Sequence, residues 1–232
     1  ADGKDVYVAG IMQHIEEAGI HSGDSACCLP PVSIKENILK EIKVQTRKLA
    51  LAMRVKGFLN IQFAIKKDQI FVIEVNPRAS RTVPFVSKAN GIPLAKIASR
   101  IMAGEKLSKY NLKYKKNKRY AVKEAVFPFN KFPDSDVLLG PEMKSTGEVM
   151  GFDEDFGMAV AKSQIAASNS LPIGGMAFLS VKDSHKQEII GVAQRLKKFG
   201  FTISATKGTS RVLNNNGIKC KTINKVSSGR PH

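Results

Sequence analysis

The chain has 232 residues, a length that allows one large domain or two smaller ones. Its hydrophobic fraction of 43% and charged fraction of 25% are ordinary for a globular protein and exclude wholesale disorder. Lysine and arginine total 37 against 20 aspartate and glutamate residues, which gives a formal net charge of +17. No apolar stretch approaches the roughly 18 residues of a membrane-spanning helix, so we expect no membrane partner.

The net charge first suggests a nucleic-acid partner, but its distribution argues against one. Residues 171–232 hold 11 basic and two acidic residues, which is over half of the excess. The aromatic residues of that segment are Phe178, Phe199 and Phe201, whose positions favour a core over a stacking platform interleaved with lysine and arginine. We therefore expect no nucleic-acid partner, and a non-enzymatic basic nucleic-acid-binding module remains an alternative.

The cysteines and the two chain ends suggest the cellular compartment and the extent of the parent protein. Cys27, Cys28 and Cys220 are too few and too oddly spaced for a disulfide framework or a zinc site. We expect a reducing, cytoplasmic compartment, or a mitochondrial one if the source is eukaryotic. The chain starts at Ala1 rather than methionine and stops at His232 without a polar tail, so we expect a piece of a longer protein.

Hydrophobic periodicity predicts an α/β chain. In chain order it predicts a helix at 34–56, strands at 58–66 and 70–76, a helix at 93–103, a strand at 177–181, a helix at 186–199, a strand at 201–205, a helix at 209–215 and a strand at 221–226. The last five alternate between strand and helix, which predicts a doubly wound parallel unit. Composition divides the chain into 1–104, 105–170 and 171–232.

The two strands at 58–66 and 70–76 predict an antiparallel hairpin with a polar face. With residues 67–69 as the loop, Gln62 lies opposite Glu74 and Asn60 lies opposite Asn76. The other face then collects the apolar side chains Ile61, Phe63, Ile65, Phe71, Ile73 and Val75. A carboxylate flanked by amide oxygens suits Mg²⁺, although an ordinary half-exposed hairpin would also have a polar outer face.

Two arginines follow the hairpin at once. Arg78 and Arg81 each offer a rigid fork of donors that matches carboxylate or phosphate oxygens. Beside a magnesium site they predict an anion clamp, with a pair of ordinary surface arginines as the alternative.

At residues 74–96 the sequence resembles the ATP-grasp core of the carbamoyl-phosphate synthetase large-subunit family. Residues 14–26, 128–133 and 139–151 match the same family, and the likeness covers essentially the whole chain. It points to the second, carboxy-terminal half. The resemblance implies the C-terminal lobe of an ATP-grasp domain at 1–104, a connector packed on it at 105–170, and the truncated N-terminal part of a methylglyoxal-synthase-like allosteric domain at 171–232.

The family resemblance implies a ligase that phosphorylates carbamate with ATP and Mg or Mn, in pyrimidine and arginine biosynthesis. It implies metal ligation by Gln62, Glu74 and Asn76. It implies catalytic roles for Arg78, Arg81 and Asn76. The two arginines would bind a small carboxylate-like substrate. It implies nucleotide contacts from Gly19, Ile20, His21, Ser22, Gln62 and Glu74. On its own, His21 would more simply be a structural histidine.

Two allosteric sites are also implied by the resemblance. Glu16, Asp24 and Glu124 match an ornithine site, whose ammonium group acidic side chains would suit. Thr206 and Thr209 lie between a predicted strand and helix, where free backbone N–H groups favour an anion or form a simple capping turn. The family implies that Thr206, Thr209 and Lys225 bind the phosphate of a nucleotide monophosphate.

Further expectations concern the parent protein. The resemblance implies that a glutaminase, as a small subunit or a fused domain, supplies ammonia. It also implies an upstream lobe that closes over the nucleotide, so we expect the chain alone to be inactive. Another ATP-grasp carboxylate–amine ligase, of the biotin-carboxylase-like kind, is the alternative enzyme, but it would lack the motif at 128–133 and the α/β tail.

Overall fold

The computed structural model describes residues 1–113 and 118–224. By their internal contacts the residues form two compact units, 1–170 and 171–232. Antiparallel sheets and a parallel sheet combine with helices, which confirms the predicted α/β class. No helix within the described ranges is both long and apolar enough to cross a membrane.

The first unit combines a four-stranded antiparallel sheet, a separate hairpin and four helices among its described residues. Its elements are β1 (Gln13–His14), β2 (Cys27–Leu29), α1 (Glu36–Ala52), β3 (Asn60–Lys66), β4 (Gln69–Asn76), α2 (Thr82–Asn90), α3 (Leu94–Met102), β5 (Tyr120–Val126), β6 (Gly147–Asp153) and α4 (Phe156–Ala166). The larger sheet has the order β1-β2-β5-β6, and β3 pairs with β4. The predicted helices at 34–56 and 93–103 and both hairpin strands are confirmed.

The hairpin keeps the predicted pairs near its open end but reaches them by a different route. Its turn has two residues, Lys67 and Asp68, both with positive φ (50° and 64°), as in the tight turns that match strand twist. The register shifts after Gln62, because β4 carries one extra residue at Ile73. The shorter turn and the bulge cancel, so the pairs Gln62 with Glu74 and Asn60 with Asn76 form as predicted.

The bulge does overturn the predicted apolar face of the hairpin. Phe71 pairs with Ala64, which places Phe71 on the face of Gln62 rather than on the face of Ile61. Exposure is also higher than a core face would allow. Four apolar side chains of the hairpin are between 39% and 49% exposed: Ile65, Phe71, Val72 and Ile73. The alternation rule fails here because the extra residue in β4 moves each β4 side chain between the bulge and the turn to the opposite face of the hairpin.

Packing in the first unit fixes the sheet that borders the site. Helices α2 and α3 contribute Phe85, Val86 and Leu94 to a buried cluster with Leu29 of β2 and Ala121 of β5. Helix α4 covers β5 and β6 on another cluster. The sheet is therefore held by the helix that follows Arg81, which ties the arginine to the core.

The second unit is a parallel sheet with helical crossovers. Its elements are β7 (Gly175–Leu179), α5 (Glu188–Lys198), β8 (Phe201–Thr206), α6 (Lys207–Asn215) and β9 (Lys221–Ile223). The strand order β7-β8-β9 is parallel throughout, which confirms the predicted alternation of strands and helices. The core consists of Ala193, Ile203, Ala205, Leu213 and Ile218. Lys225 lies outside the described residues.

Candidate functional site

A cleft of about 780 Å³ in the first unit is lined by most of the predicted site residues. The hairpin contributes its polar row, in which Gln62 faces Glu74 and Asn60 faces Asn76. Directly paired strand residues have Cβ atoms about 4.5–5.5 Å apart, so each pair can share one ligand. The same cleft is lined by His21, Ser22, Arg78 and Arg81, whereas Gly19 and Ile20 are not among its lining residues.

The polar row offers oxygen atoms that could bind a metal and that have no partner in the described part of the chain. Within the described residues, the side chains of Asn60, Gln62, Glu74 and Asn76 make no hydrogen bond or ion pair. The described part also holds no cluster of three His, Cys, Asp or Glu side chains that could bind a metal by themselves. One carboxylate with amide oxygens fits a hard cation that brings further oxygens with it, as Mg²⁺ does on nucleotide phosphates.

Both predicted anion-binding arginines lie at this cleft. The Arg78 Nη1 donates to the carbonyl of Ala79 at 3.0 Å, in an exposed position. The Arg81 Nη1 lies 2.8 Å from Met143 Sδ and 3.4 Å from Ser145 Oγ. Arg81 immediately precedes α2, so packing of that helix fixes the backbone position of the arginine.

The predicted nucleotide segment is a tight turn held from both sides. Gly19 has a φ of +111°, a conformation that glycine adopts without strain. The His21 N–H donates to the Gly140 carbonyl at 2.8 Å, and the His21 carbonyl accepts from the backbone of Asp24. The Lys123 ammonium donates to the carbonyls of Ser22 and Gly23 at 3.1 and 3.2 Å. The turn is thus fixed by a local hydrogen bond and by contacts with Gly140 and Lys123, which lie 100 or more residues later in the sequence.

The predicted ornithine residues divide into two kinds. Burial, and then the nearby charge of Glu16, raise the pKa of Glu124, whose Oε2 accepts from Gln164 at 2.7 Å. Buried oxygens of Glu16 and Glu148 have no hydrogen-bond partner among the described residues. Burial also acts to raise the pKa of Asp24, but hydrogen bonds from Ser145 and the Lys144 backbone outweigh it, and the pKa falls below its ordinary value. Glu16 and Glu124 are thus electrostatically coupled, whereas Asp24 is satisfied by the protein itself.

In the second unit the predicted anion residues lie at the start of α6. Thr206 and Thr209 are buried, and their hydroxyls are 3.4 Å apart. A Cβ at Gly208 would lie 2.8 Å from the Lys186 Nζ, so this ammonium sits over the first turn of the helix. The helix N-terminus carries unpaired N–H groups and partial positive charge, and the Lys186 ammonium, which is ion-paired with Asp183, lies beside it. The predicted contribution of Lys225 lies beyond the described part of the chain.

Sequence reasoning missed three residues that shape these sites. Lys123, Ser145 and Lys186 act through contacts with distant segments of the chain. The one available signal was for Lys123, which lies in the strongly apolar strand β5, where a lysine needs a buried partner. No local pattern marks Ser145 or Lys186.

Two family models match parts of the chain. Residues 1–110 match the family model described as the carbamoyl-phosphate synthase L chain, ATP binding domain. Residues 188–232 match the model of the MGS-like domain. The two matches lie in the first and second units respectively.

Similar proteins cover the whole chain. Over 232 residues it is 55% identical to the carbamoyl phosphate synthase large chain of Pseudomonas putida, and over 233 residues it is 56% identical to that of Archaeoglobus fulgidus. In both cases all of this chain matches 22% of the relative. The large chain, C-terminal section, of Aquifex aeolicus is 49% identical, and the match covers 46% of it. The whole chain is therefore similar to carbamoyl phosphate synthase large chains and spans 22% of the length of the relatives from Pseudomonas putida and Archaeoglobus fulgidus.

Proposed function

We propose that this chain is part of a carbamoyl phosphate synthase large chain and that its cleft phosphorylates carbamate with ATP. The observation that carries the proposal is the paired row of Gln62, Glu74 and Asn76 facing the same cleft as Arg78 and Arg81. The first unit also matches an ATP-binding domain. The product, carbamoyl phosphate, would serve pyrimidine and arginine synthesis, with ammonia drawn from a glutaminase subunit or domain.

Each group has a role that follows from its chemistry. Gln62, Glu74 and Asn76 would hold Mg²⁺ or Mn²⁺, which neutralises charge on the transferred phosphoryl group. Arg78 and Arg81 orient carbamate, because a guanidinium pairs with the two oxygens of a planar carboxylate-like group. The segment from Gly19 to Ser22 borders the nucleotide. Catalysis then comes from positioning and charge stabilisation, and no protein nucleophile is needed.

The experiment uses the full-length large chain and measures ATP formation from ADP and carbamoyl phosphate, the reverse of the proposed step. Glu74→Gln keeps the shape of the side chain but removes its charge, and we expect the rate to fall about 100-fold or more. Glu36→Gln, the same change at an exposed position on α1, should leave the rate within about twofold. Equal rates in the two variants would refute the cation-binding role of the hairpin.

The second proposed role is regulation of the large chain by small molecules. The start of α6, with Thr206, Thr209 and Lys186, suits the phosphate of a nucleotide monophosphate, and Lys225 is proposed to join it. In the full-length protein, calorimetric titration would use inosine, uridine and adenosine monophosphates. Lys186→Ala should lower the affinity for whichever nucleotide binds about tenfold. Lys197→Ala, at an exposed position on α5, should leave that affinity unchanged. Identical affinities in the two variants would exclude this site.

The acidic pair in the first unit is proposed to bind ornithine. Glu16 and Glu124 are close enough for the charge of one to raise the pKa of the other, so a cationic amine between them would relieve their repulsion. Asp24 is proposed to support the site through its backbone contacts. Glu124→Gln should abolish any effect of ornithine on the full-length enzyme, and an unchanged response would contradict the assignment.

A further inference from the structure

The loop of residues 140–145 contacts the guanidinium of Arg81, which the proposed function assigns to carbamate. Both hydrogen bonds that Arg81 makes within the described residues leave from Nη1, one to Met143 Sδ and one to Ser145 Oγ. A guanidinium carries five N–H donors in a rigid plane. The opposite edge, formed by Nε and Nη2, is therefore left for a substrate.

Ser145 has a buried hydroxyl between the turn and Arg81. The residue is 5% exposed, and its hydroxyl has two acceptors on the turn, the Gly23 carbonyl at 3.2 Å and the Asp24 carboxylate. Since an arginine can only donate, Oγ accepts from Arg81 through a lone pair while its hydrogen goes to the turn. Ser145 thus connects the arginine to the turn that borders the proposed nucleotide site.

Asp24 anchors the backbone of this loop. It is 1% exposed, and its two carboxylate oxygens accept from the backbone N–H groups of Lys144 at 2.8 Å and Ser145 at 2.9 Å. Hydrogen bonds from two amides to one buried carboxylate are strong and directional. The carboxylate therefore determines where Met143 and Ser145 lie, and it does so from a segment 120 residues away.

The contact point leaves no free space. A Cβ at Gly23 would lie 2.9 Å from Met143 Sδ, 3.1 Å from His21 Nδ1 and 3.3 Å from Arg81 Nη1. The turn, the loop and the arginine therefore pack at one point. Although Arg81 is exposed, a guanidinium held along one edge in this way has fewer rotamers than an arginine without such contacts.

We propose that Ser145 and Met143, on a loop anchored by Asp24, are positioning residues for Arg81. The inference rests on the proposed function, in which Arg81 binds carbamate. The loop holds the Nη1 edge of the guanidinium and turns the Nε–Nη2 edge toward the carboxylate-like group of the substrate, before the substrate arrives. Loss of the loop contact should therefore weaken binding of the small substrate and leave binding of the nucleotide unchanged.

The test uses the full-length protein and the formation of ATP from ADP and carbamoyl phosphate. Ser145→Ala should raise the KM for carbamoyl phosphate about tenfold and leave the KM for ADP within about twofold. Ser145→Thr retains the hydroxyl and should restore most of the loss, and Met143→Leu should raise the same KM by a smaller factor. Ser135→Ala is the control, because among the described residues its exposed hydroxyl bonds only to the carbonyl of Phe132. Thermal melting of each variant checks that it is folded.

A double-mutant comparison separates this inference from the proposed function. In an Arg81→Ala background, Ser145→Ala should add no further change if the serine acts through the arginine. Additive effects, or an equal rise in both KM values, would overturn the positioning role while leaving the function intact. If Arg81→Ala itself changes neither the KM for carbamoyl phosphate nor the rate, the proposed role of Arg81 fails instead.

Discussion

Lys123 shows how a single side chain can determine the shape of the site without lining the cleft. Its side chain is fully buried, and its ammonium donates to the carbonyls of Ser22 and Gly23. A charge buried in this way is costly without such acceptors, so the turn and the lysine depend on each other. The turn that is proposed to border the nucleotide is therefore held by the core of the fold.

Replacing Lys123 should destabilise the first unit. Lys123→Ala leaves a cavity and removes the hydrogen bond to the Ser22 carbonyl and one of those to the Gly23 carbonyl, and we expect the free energy of unfolding to fall by about 3 kcal/mol. Lys131→Ala, at an exposed position, should change it by less than about 0.5 kcal/mol. Urea denaturation followed by circular dichroism measures both. A similar midpoint for the two variants would show that the ammonium contributes little.

The lowered pKa of His14 makes the stability of the first unit depend on pH. Burial, and then the charge of Lys123, lower the pKa of His14 below its ordinary value of 6.5. The unfolded chain therefore binds this proton at a higher pH than the folded chain does. Stability should fall as pH drops through about 6.5 and level off below the folded-state pKa. His14→Gln should flatten the curve between about pH 7.5 and 5 in urea titrations, and an unchanged slope would be inconsistent with this assignment.

At the scale of elements, the hairpin shows both the reach and the limit of pattern reasoning. The pairs Gln62–Glu74 and Asn60–Asn76 could be predicted because alternation and a short turn strongly restrict the register. The prediction used a three-residue loop, whereas the chain has a two-residue turn and a bulge at Ile73. The predicted pairs at the open end of the hairpin are correct because the shorter turn and the bulge compensate there. The predicted apolar face is wrong because, between the bulge and the turn, only one of the two differences acts on the register.

Elements held by distant pairing could not be predicted in the same way. Strand β5 lies between β2, about 90 residues earlier in the chain, and β6, which follows a 20-residue excursion. Helix α2 carries Pro84 in its first turn, where proline is tolerated but where a local pattern favours extended chain. Asp24 and Ser145 are likewise joined only by the folded chain. Local periodicity contains no information about such partners.

Close approach of β6 and α4 gives a prediction at the same scale. A Cβ at Gly151 would overlap the Ala159 carbonyl oxygen and lie 2.5 Å from the Ser163 backbone nitrogen. Since backbone cannot yield as a side chain can, Gly151→Ala should cost about 3 kcal/mol or more in the free energy of unfolding. Gly147→Ala, in the same strand with open space at its Cβ, should cost at most about 1 kcal/mol. Equal losses in the two variants would mean that strand and helix separate easily.

At the scale of the whole molecule, the net charge has a narrower meaning than it first suggests. The excess is concentrated in residues 171–232, which form the unit with the proposed phosphate site. The cleft of the first unit has only two lysine or arginine side chains among its described lining residues, Arg78 and Arg81. In the proposed reaction these two are assigned to carbamate, so the described cleft leaves no such side chain for the triphosphate.

The 232-residue chain by itself should therefore not turn over ATP. Phosphoryl transfer needs cationic groups around the transferred phosphate and a site closed to water, and the chain spans only 22% of the length of such relatives. A coupled assay of ADP release, with bicarbonate and ammonia as the source of carbamate, should show no signal above background for the chain alone. The full-length protein at the same molar concentration should be active. Carbamate-dependent turnover by the chain within about tenfold of the full-length rate would mean that the hairpin row and two arginines suffice for the chemistry.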